Sequence, residues 1–154
     1  MDDHPPEKGE TGLRATSRSL PIALLRAREA VMAPIREMLA DAGVTEQQWR
    51  VLRVLEEIGP AQVSRVAREA SLLAPSLTRI AQTLAEKGLV TRNASGSDGR
   101  RFMLAISNAG QALLARYREQ SNRIAEDLRT RFGPEKVELL LDLLNELDTL
   151  DKRG

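Results

Sequence analysis

Two short amphipathic helices followed at once by two alternating strands constrain this chain more than any other feature. Over Ala61 to Ser107, AQVSRVAREASLLAPSLTRIAQTLAEKGLVTRNASGSDGRRFMLAIS, a first helix puts Val63, Val66, Ala67 and Ala70 on one face, and a second does the same with Leu77, Ile80, Ala81 and Leu84. Both follow the i, i+3, i+4, i+7 spacing of a helix with one buried side. Lys87-Gly88 supplies a helix end, a cation in the last turn with glycine beyond it. The chain then alternates from Leu89 to Ala94 and again from Arg101 to Ile106, with Phe102, Leu104 and Ile106 sharing the inner face. Gly96 and Gly99 in the intervening SGSDGR permit a tight, projecting loop. This order of elements is a winged helix-turn-helix, a mainly α fold with a small β-hairpin wing.

The outer face of the second helix is polar. Stepping about 100 degrees per residue from Leu77 places Arg79, Gln82 and Glu86 away from the core, flanked by Ser76 and Thr78. Such a helix fits a major groove about 12 Å wide, where guanidinium and amide groups read base edges, so Ser76, Thr78, Arg79 and Gln82 are assigned to DNA. An arginine near the tip of a flexible loop reaches the narrow, electronegative minor groove of A/T-rich DNA. Arg100 takes that role, Arg101 meets phosphate, and Asp98, which repels DNA, organises the wing by holding an arginine in place.

Charge is distributed accordingly. Ala61 to Arg101 holds seven basic residues (Arg65, Arg68, Arg79, Lys87, Arg92, Arg100, Arg101) against three acidic ones (Glu69, Glu86, Asp98), a net +4 within a chain of net +1. The remainder is therefore net −3, and the positive end is the one that suits a phosphate backbone.

The segment AREASLLAPSLTRIAQTLAEKGLVTR followed by SDGRR resembles the DNA-binding core of the multiple antibiotic resistance regulator (MarR) family, whose D-x-R-R wing signature is matched by Asp98, Gly99, Arg100 and Arg101. The resemblance extends from about Ser19 to Leu150, and SLPIALLRAREAVM and TEQQWRVLRVL resemble the branch that regulates homoprotocatechuate (4-hydroxyphenylacetate) degradation operons. It implies a homodimeric bacterial repressor with its recognition helix in the major groove, its wing arginine in the minor groove, and an affinity that drops when an aromatic acid binds. One departure concerns the recognition helix. Pro75 suits a first helical position, but Ala74 precedes it where a serine would cap, and losing such a cap typically costs about 1 kcal/mol.

The flanking regions read as helices. Residues 1–18, MDDHPPEKGETGLRATSR, are rich in Pro, Gly and charge and read as a disordered tail. Residues 19–154 then form a single domain, with the winged helix-turn-helix at about 45–107 and dimerisation helices at about 19–42 and 107–150. A first helix starts near Ser19, with Leu24, Ala27, Val31, Ile35, Met38 and Ala42 as its buried stripe, and Pro34 kinks it. Thr45-Glu46-Gln47-Gln48 has capping-box spacing and opens a second helix that stops at Gly59-Pro60. Ser107 caps a helix with Leu114, Tyr117, Ser121, Ile124 and Leu128 on one side, ended by Gly133-Pro134. The last helix has leucines at 139, 140, 141, 143, 144, 147 and 150, too many for one narrow stripe. Leu140, Leu144 and Leu147 are assigned to a dimer interface that places two recognition helices about 34 to 36 Å apart on a pseudo-palindromic operator. The alternative is that these leucines complete a monomeric core.

An effector site belongs at the junction of the dimer helices and the winged region. Arg26, Arg28, Arg50 and Arg53 offer guanidinium groups for the carboxylate of a small aromatic acid, and Trp49 a face for stacking. Each has a plainer reading, Trp49 as core packing and the arginines as an ion-paired face with Glu29, Glu37 and Glu56.

Several classes are excluded. The chain has no cysteine, which removes disulfides and thiol chemistry, and its one histidine, His4, sits in the tail beside Asp2 and Asp3 without the convergent ligands a metal needs. With no Gly-rich phosphate loop and no G-x-S-x-G, the carboxylates lie at helical spacing among basic partners and form no catalytic constellation. No cofactor is expected. No run of about 18 apolar residues occurs, so no membrane partner is expected and the chain reads as cytoplasmic. The competing class is a winged-helix protein-interaction module without DNA contact, because fold does not fix function.

Overall fold

The computed structural model of the chain describes residues 12–95 and 101–150, with only the backbone described at positions 94, 95 and 101. Most of the expected tail, residues 1–11, lies outside the described residues, and in its described part a 3-10 turn at Thr16–Arg18 precedes Ser19. Helix α1 (Leu20–Ala42) carries Pro34 in its interior. There follow α2 (Glu46–Ile58), β1 (Ala61–Gln62), α3 (Val63–Glu69), α4 (Ala74–Glu86), β2 (Val90–Ser95), β3 (Arg101–Ile106), α5 (Asn108–Phe132) and α6 (Pro134–Asp148).

The chain divides into two compact units at Ile35. In the first, Arg26 Nη2 donates to Thr16 Oγ1 at 3.2 Å, tying the 3-10 turn to α1. Of the stripe expected to be buried along this helix, Leu24 and Val31 are 39% and 40% exposed and Ala27 is exposed too, while Ile35 and Ala42 are half-buried and Met38 is buried. Burial begins only at Met38 and Leu39, which belong to the second unit. The periodicity marks an apolar face, and its N-terminal half stands exposed among the described residues.

The second unit is built on Val51, Leu52, Leu55, Val66, Leu77, Leu84 and Leu104, all at 1% exposure or less. Helix α2 starts as its sequence dictates: Thr45 Oγ1 accepts from Gln48 N at 3.1 Å, and Gln48 Oε1 accepts from Thr45 N at 3.1 Å, a reciprocal capping box. Gly59, at φ +76°, ends it. The sheet has three strands, not two, in the order β1-β3-β2. Ala61 pairs with Leu104 and Gln62 with Met103, while the hairpin register runs from Val90 opposite Ile106 to Ser95 opposite Arg101. A two-residue strand leaves no periodicity to read, and only the free edge of β3 reveals it. Phe102, Leu104 and Ile106 do alternate onto one face, but burial fades toward the wing: Leu104 is fully buried and Phe102 is 43% exposed.

Helix α4 begins one residue earlier than Pro75 requires. Leu73 is the N-cap, no side chain caps it, and Pro75 falls within the first turn. The missing cap is thus at Leu73, not Ala74. At the junction of the hairpin and α5, Ser107 Oγ accepts from Gly110 N at 3.0 Å and donates to Gly88 O at 2.6 Å. Helix α6 has no buried residue, and Leu139, Leu140, Leu141, Leu143, Leu144 and Leu147 are 37% to 59% exposed, so they do not complete a monomeric core. An ion pair between Arg129 and Glu138 joins α5 to α6.

Candidate nucleic-acid interface

Helix α4 buries Leu77, Ala81 and Leu84 and turns Thr78, Arg79, Gln82 and Glu86 outward, with Ser76 half-buried. Thr78 Oγ1 donates to Ala74 O at 3.1 Å, which occupies its proton and leaves its lone pairs facing out. The turn from α3 into α4 passes through Ser71 at φ +53°, a left-handed conformation unusual for a residue with a side chain. Asp98 and Arg100 lie outside the described residues, and Arg101 is placed by its backbone only, at the start of β3 opposite Ser95.

Beside α4, a cleft of about 430 Å³ opens between the helix pair and the sheet, lined by Gln62, Val63, Ala74, Thr78, Arg92 and Phe102. The Arg92 guanidinium lies 5.8 Å from the centre of the Phe102 ring, which explains how a half-exposed phenylalanine is accommodated.

A second cleft, about 130 Å³, lies between α2 and α5, lined by Trp49, Arg53, Glu56, Leu114, Arg118 and Asn122. Trp49 is 9% exposed, so it packs in the core while one edge meets the cleft. Glu56 is ion-paired with Arg118 of α5. Arg53 lines the cleft and Arg50 does not; Arg50 is half-buried, with a buried Nε lacking a hydrogen-bond partner among the described residues. Arg26 and Arg28 are exposed on the N-terminal unit. Of the residues assigned to an effector, the fold therefore brings Trp49 and Arg53 to one cleft and leaves Arg50 outside it.

Two polar contacts had no signature in the sequence. Tyr117 Oη donates to Asp41 Oδ2 at 2.8 Å. That hydrogen bond holds the phenol above its ordinary pKa, reinforced by burial and by the Asp41 charge and opposed by the Arg116 guanidinium. Lys87 Nζ, counted above among the cations of the positive block, donates to Gly43 O at 2.9 Å and to Gln48 Oε1 at 3.4 Å. Lys87 is itself exposed, so its charge stays at the surface while its ammonium is held by these two acceptors.

Residues 42–101, which hold α2, the helix pair and most of the hairpin, match the family model described as the MarR family. The chain is 37% identical over 132 residues to the homoprotocatechuate degradative operon repressor of Escherichia coli, covering 86% of this chain and 89% of that one. The chain belongs to the MarR family. Among solved MarR structures it is similar to NadR in complex with 4-hydroxyphenylacetate, with a TM-score of 0.77, 36% identity, and coverage of 90% of this chain and 98% of that one. It is similar also to the transcriptional repressor CouR bound to a 23-mer DNA duplex, with a TM-score of 0.78, 27% identity, and coverage of 86% and 94%. MarR proteins are transcription regulators that bind DNA as dimers, and they are not enzymes. This chain is a DNA-binding regulator of that kind, and a winged-helix module without DNA contact is not favoured.

Proposed function

We propose that this MarR protein is a dimeric, cytoplasmic repressor of an operon for homoprotocatechuate or 4-hydroxyphenylacetate degradation, released from its operator by a phenolic acid. The observation that carries this reading is the similarity, at 36–37% identity over most of the chain, to a repressor of that pathway and to a regulator holding 4-hydroxyphenylacetate. In agreement with it, the α2–α5 cleft offers an aromatic edge at Trp49 and a guanidinium at Arg53, the two groups an aromatic carboxylate uses. Arg26, Arg28 and Arg50 are further candidates for the carboxylate.

In this reading the domain spans residues 19–154. Ser76, Thr78, Arg79 and Gln82 read the major groove, Arg100 enters the minor groove, Arg101 meets phosphate, and Asp98 organises the wing. The dimerisation helices lie at about 19–42 and 107–150, and Leu140, Leu144 and Leu147 contribute to the contact between subunits. A ligand releases DNA only by binding the DNA-incompetent state more tightly than the competent one.

The test is fluorescence anisotropy on the protein's own upstream DNA against scrambled DNA, at two salt concentrations, with and without 3,4-dihydroxyphenylacetate and 4-hydroxyphenylacetate. Specific binding released by either acid is expected. Specific binding that neither acid disturbs overturns the effector and leaves the regulator standing.

A further inference from the structure

Core packing holds α4 against its neighbours through Leu77, Ala81 and Leu84, but apolar burial is non-directional and fixes distance better than angle. Hydrogen bonds fix angle. Ser107 Oγ donates to Gly88 O just past the end of α4, and the longest-range bonds at that end among the described residues come from Lys87, the C-cap of the helix. Its Nζ reaches Gly43 O, 44 residues away, and Gln48 Oε1, 39 residues away. Gly43 O lies just beyond α1, where the negative end of a helix dipole gathers and where a cation is favoured. Gln48 Oε1 is the same atom that accepts from Thr45 N in the capping box of α2. One ammonium therefore covers the end of α1, the start of α2 and the end of α4.

The segment Asp41 to Gln48 is gripped from its other end by α5, through the Tyr117 hydroxyl on Asp41 at 2.8 Å, a contact between residues 76 apart. The turn between α1 and α2 is thus fastened on one side to the DNA-reading helix and on the other to the long helix that leads into α6. We infer that Lys87 is a positioning residue for operator reading: through Asp41–Gln48 it sets the angle of α4 relative to α5, and so the half-site spacing that the dimer accepts. This rests on paired recognition helices reading a two-fold site, and it does not depend on the effector.

The test uses the full-length dimer and a duplex selected by the wild-type protein from a random library, together with the same duplex lengthened or shortened by one base pair between half-sites. Wild-type protein is expected to prefer one spacing. Lys87→Met keeps the methylene stem and loses the donors, and is expected to reduce the discrimination between spacings by about threefold to tenfold. Lys87→Arg, which still donates, retains it. Tyr117→Phe loosens the other end of the segment and lowers discrimination in the same sense, so the test stays open whether or not Lys87→Met folds. If Lys87→Met weakens all three duplexes by a common factor, Lys87 only stabilises the fold and the inference is overturned. A wild-type protein indifferent to spacing overturns it together with the paired-helix reading, and wild-type data alone identify that case.

Discussion

The hydroxyl of Tyr117, midway along α5, donates to the carboxylate of Asp41 at the end of α1 over 2.8 Å, and it is the contact between residues 76 apart that closes the α1–α2 turn against the long helix. A phenol that donates to a carboxylate has to keep its proton. The fold therefore favours neutral Tyr117, and its pKa in the folded state lies above the unfolded value of about 10.

The sign of the pH dependence follows. The stabilisation is fully present below about pH 10 and is lost as pH rises through the higher folded pKa, because the unfolded chain releases the proton first. The chain contains one tyrosine, so tyrosinate absorbance reports this group alone. The expected midpoint lies above that of free tyrosine, and an Asp41→Asn variant moves it down. A midpoint at or below the free value would remove the hydrogen bond from the solution structure.

Gly110 admits no side chain. A Cβ there would lie 2.3 Å from Leu89 O and 2.7 Å from Ile106 Cγ1, and the first of these is backbone that also accepts from Ser107 N at 3.0 Å. Gly110→Ala is expected to destabilise the fold by about 1 to 3 kcal/mol despite the better helix propensity of alanine. Urea denaturation checks this, and a variant as stable as the parent would mean that α5 can slide away from the hairpin.

Thr45→Ala removes one half of the capping box and is expected to cost about 1 kcal/mol. Gln48 Oε1, which accepts from Thr45 N in the half of the box that Thr45→Ala leaves, also accepts from Lys87, so the loss should change in a Lys87→Met background, a coupling that a double-mutant cycle reads directly. Strict additivity would show that the two contacts are independent.

Arg79 stands exposed on the outer face of α4. Arg79→Ala is expected to relax base preference within the half-site by about 1 to 3 kcal/mol, as for loss of a bidentate base contact. A base-substitution series read by anisotropy decides the matter: uniform weakening across all bases would assign Arg79 to phosphate.

Leu140 and Leu144 are 45% and 37% exposed on a helix with no buried residue. Replacing both by glutamate is expected to dissociate the dimer and abolish tight operator binding, since charges in an apolar contact leave uncompensated buried groups. Sedimentation velocity reports the state, and a fully dimeric double variant would place the interface elsewhere.

Much of this fold was legible in the chain because it rests on local signals. The 3.6-residue periodicity of α3 and α4, the capping box at Thr45, the glycines at 59, 88 and 133 and the alternation of β2 and β3 each depend on residues within a few positions of one another. Physical chemistry acting over a turn or two decides such features whatever the rest of the chain does. The polar outer face of α4 was legible for the same reason, since it is the complement of the buried stripe.

The tertiary structure alone decided what depends on distant partners. Strand β1 exists because β3 has a free edge to pair with. Phe102 alternates correctly and is still half-exposed, because a strand's phase says which side a residue faces and not how far the core extends beneath it. The α1 stripe at Leu24 and Val31 keeps its periodicity and is still exposed among the described residues, because periodicity does not say what a face packs against. Lys87 reads from sequence as one more cation on a basic face, and only long-range folding turns its ammonium onto Gly43 and Gln48. Charge and periodicity are properties of a segment, whereas a partner 44 or 76 residues away is a property of the assembled fold.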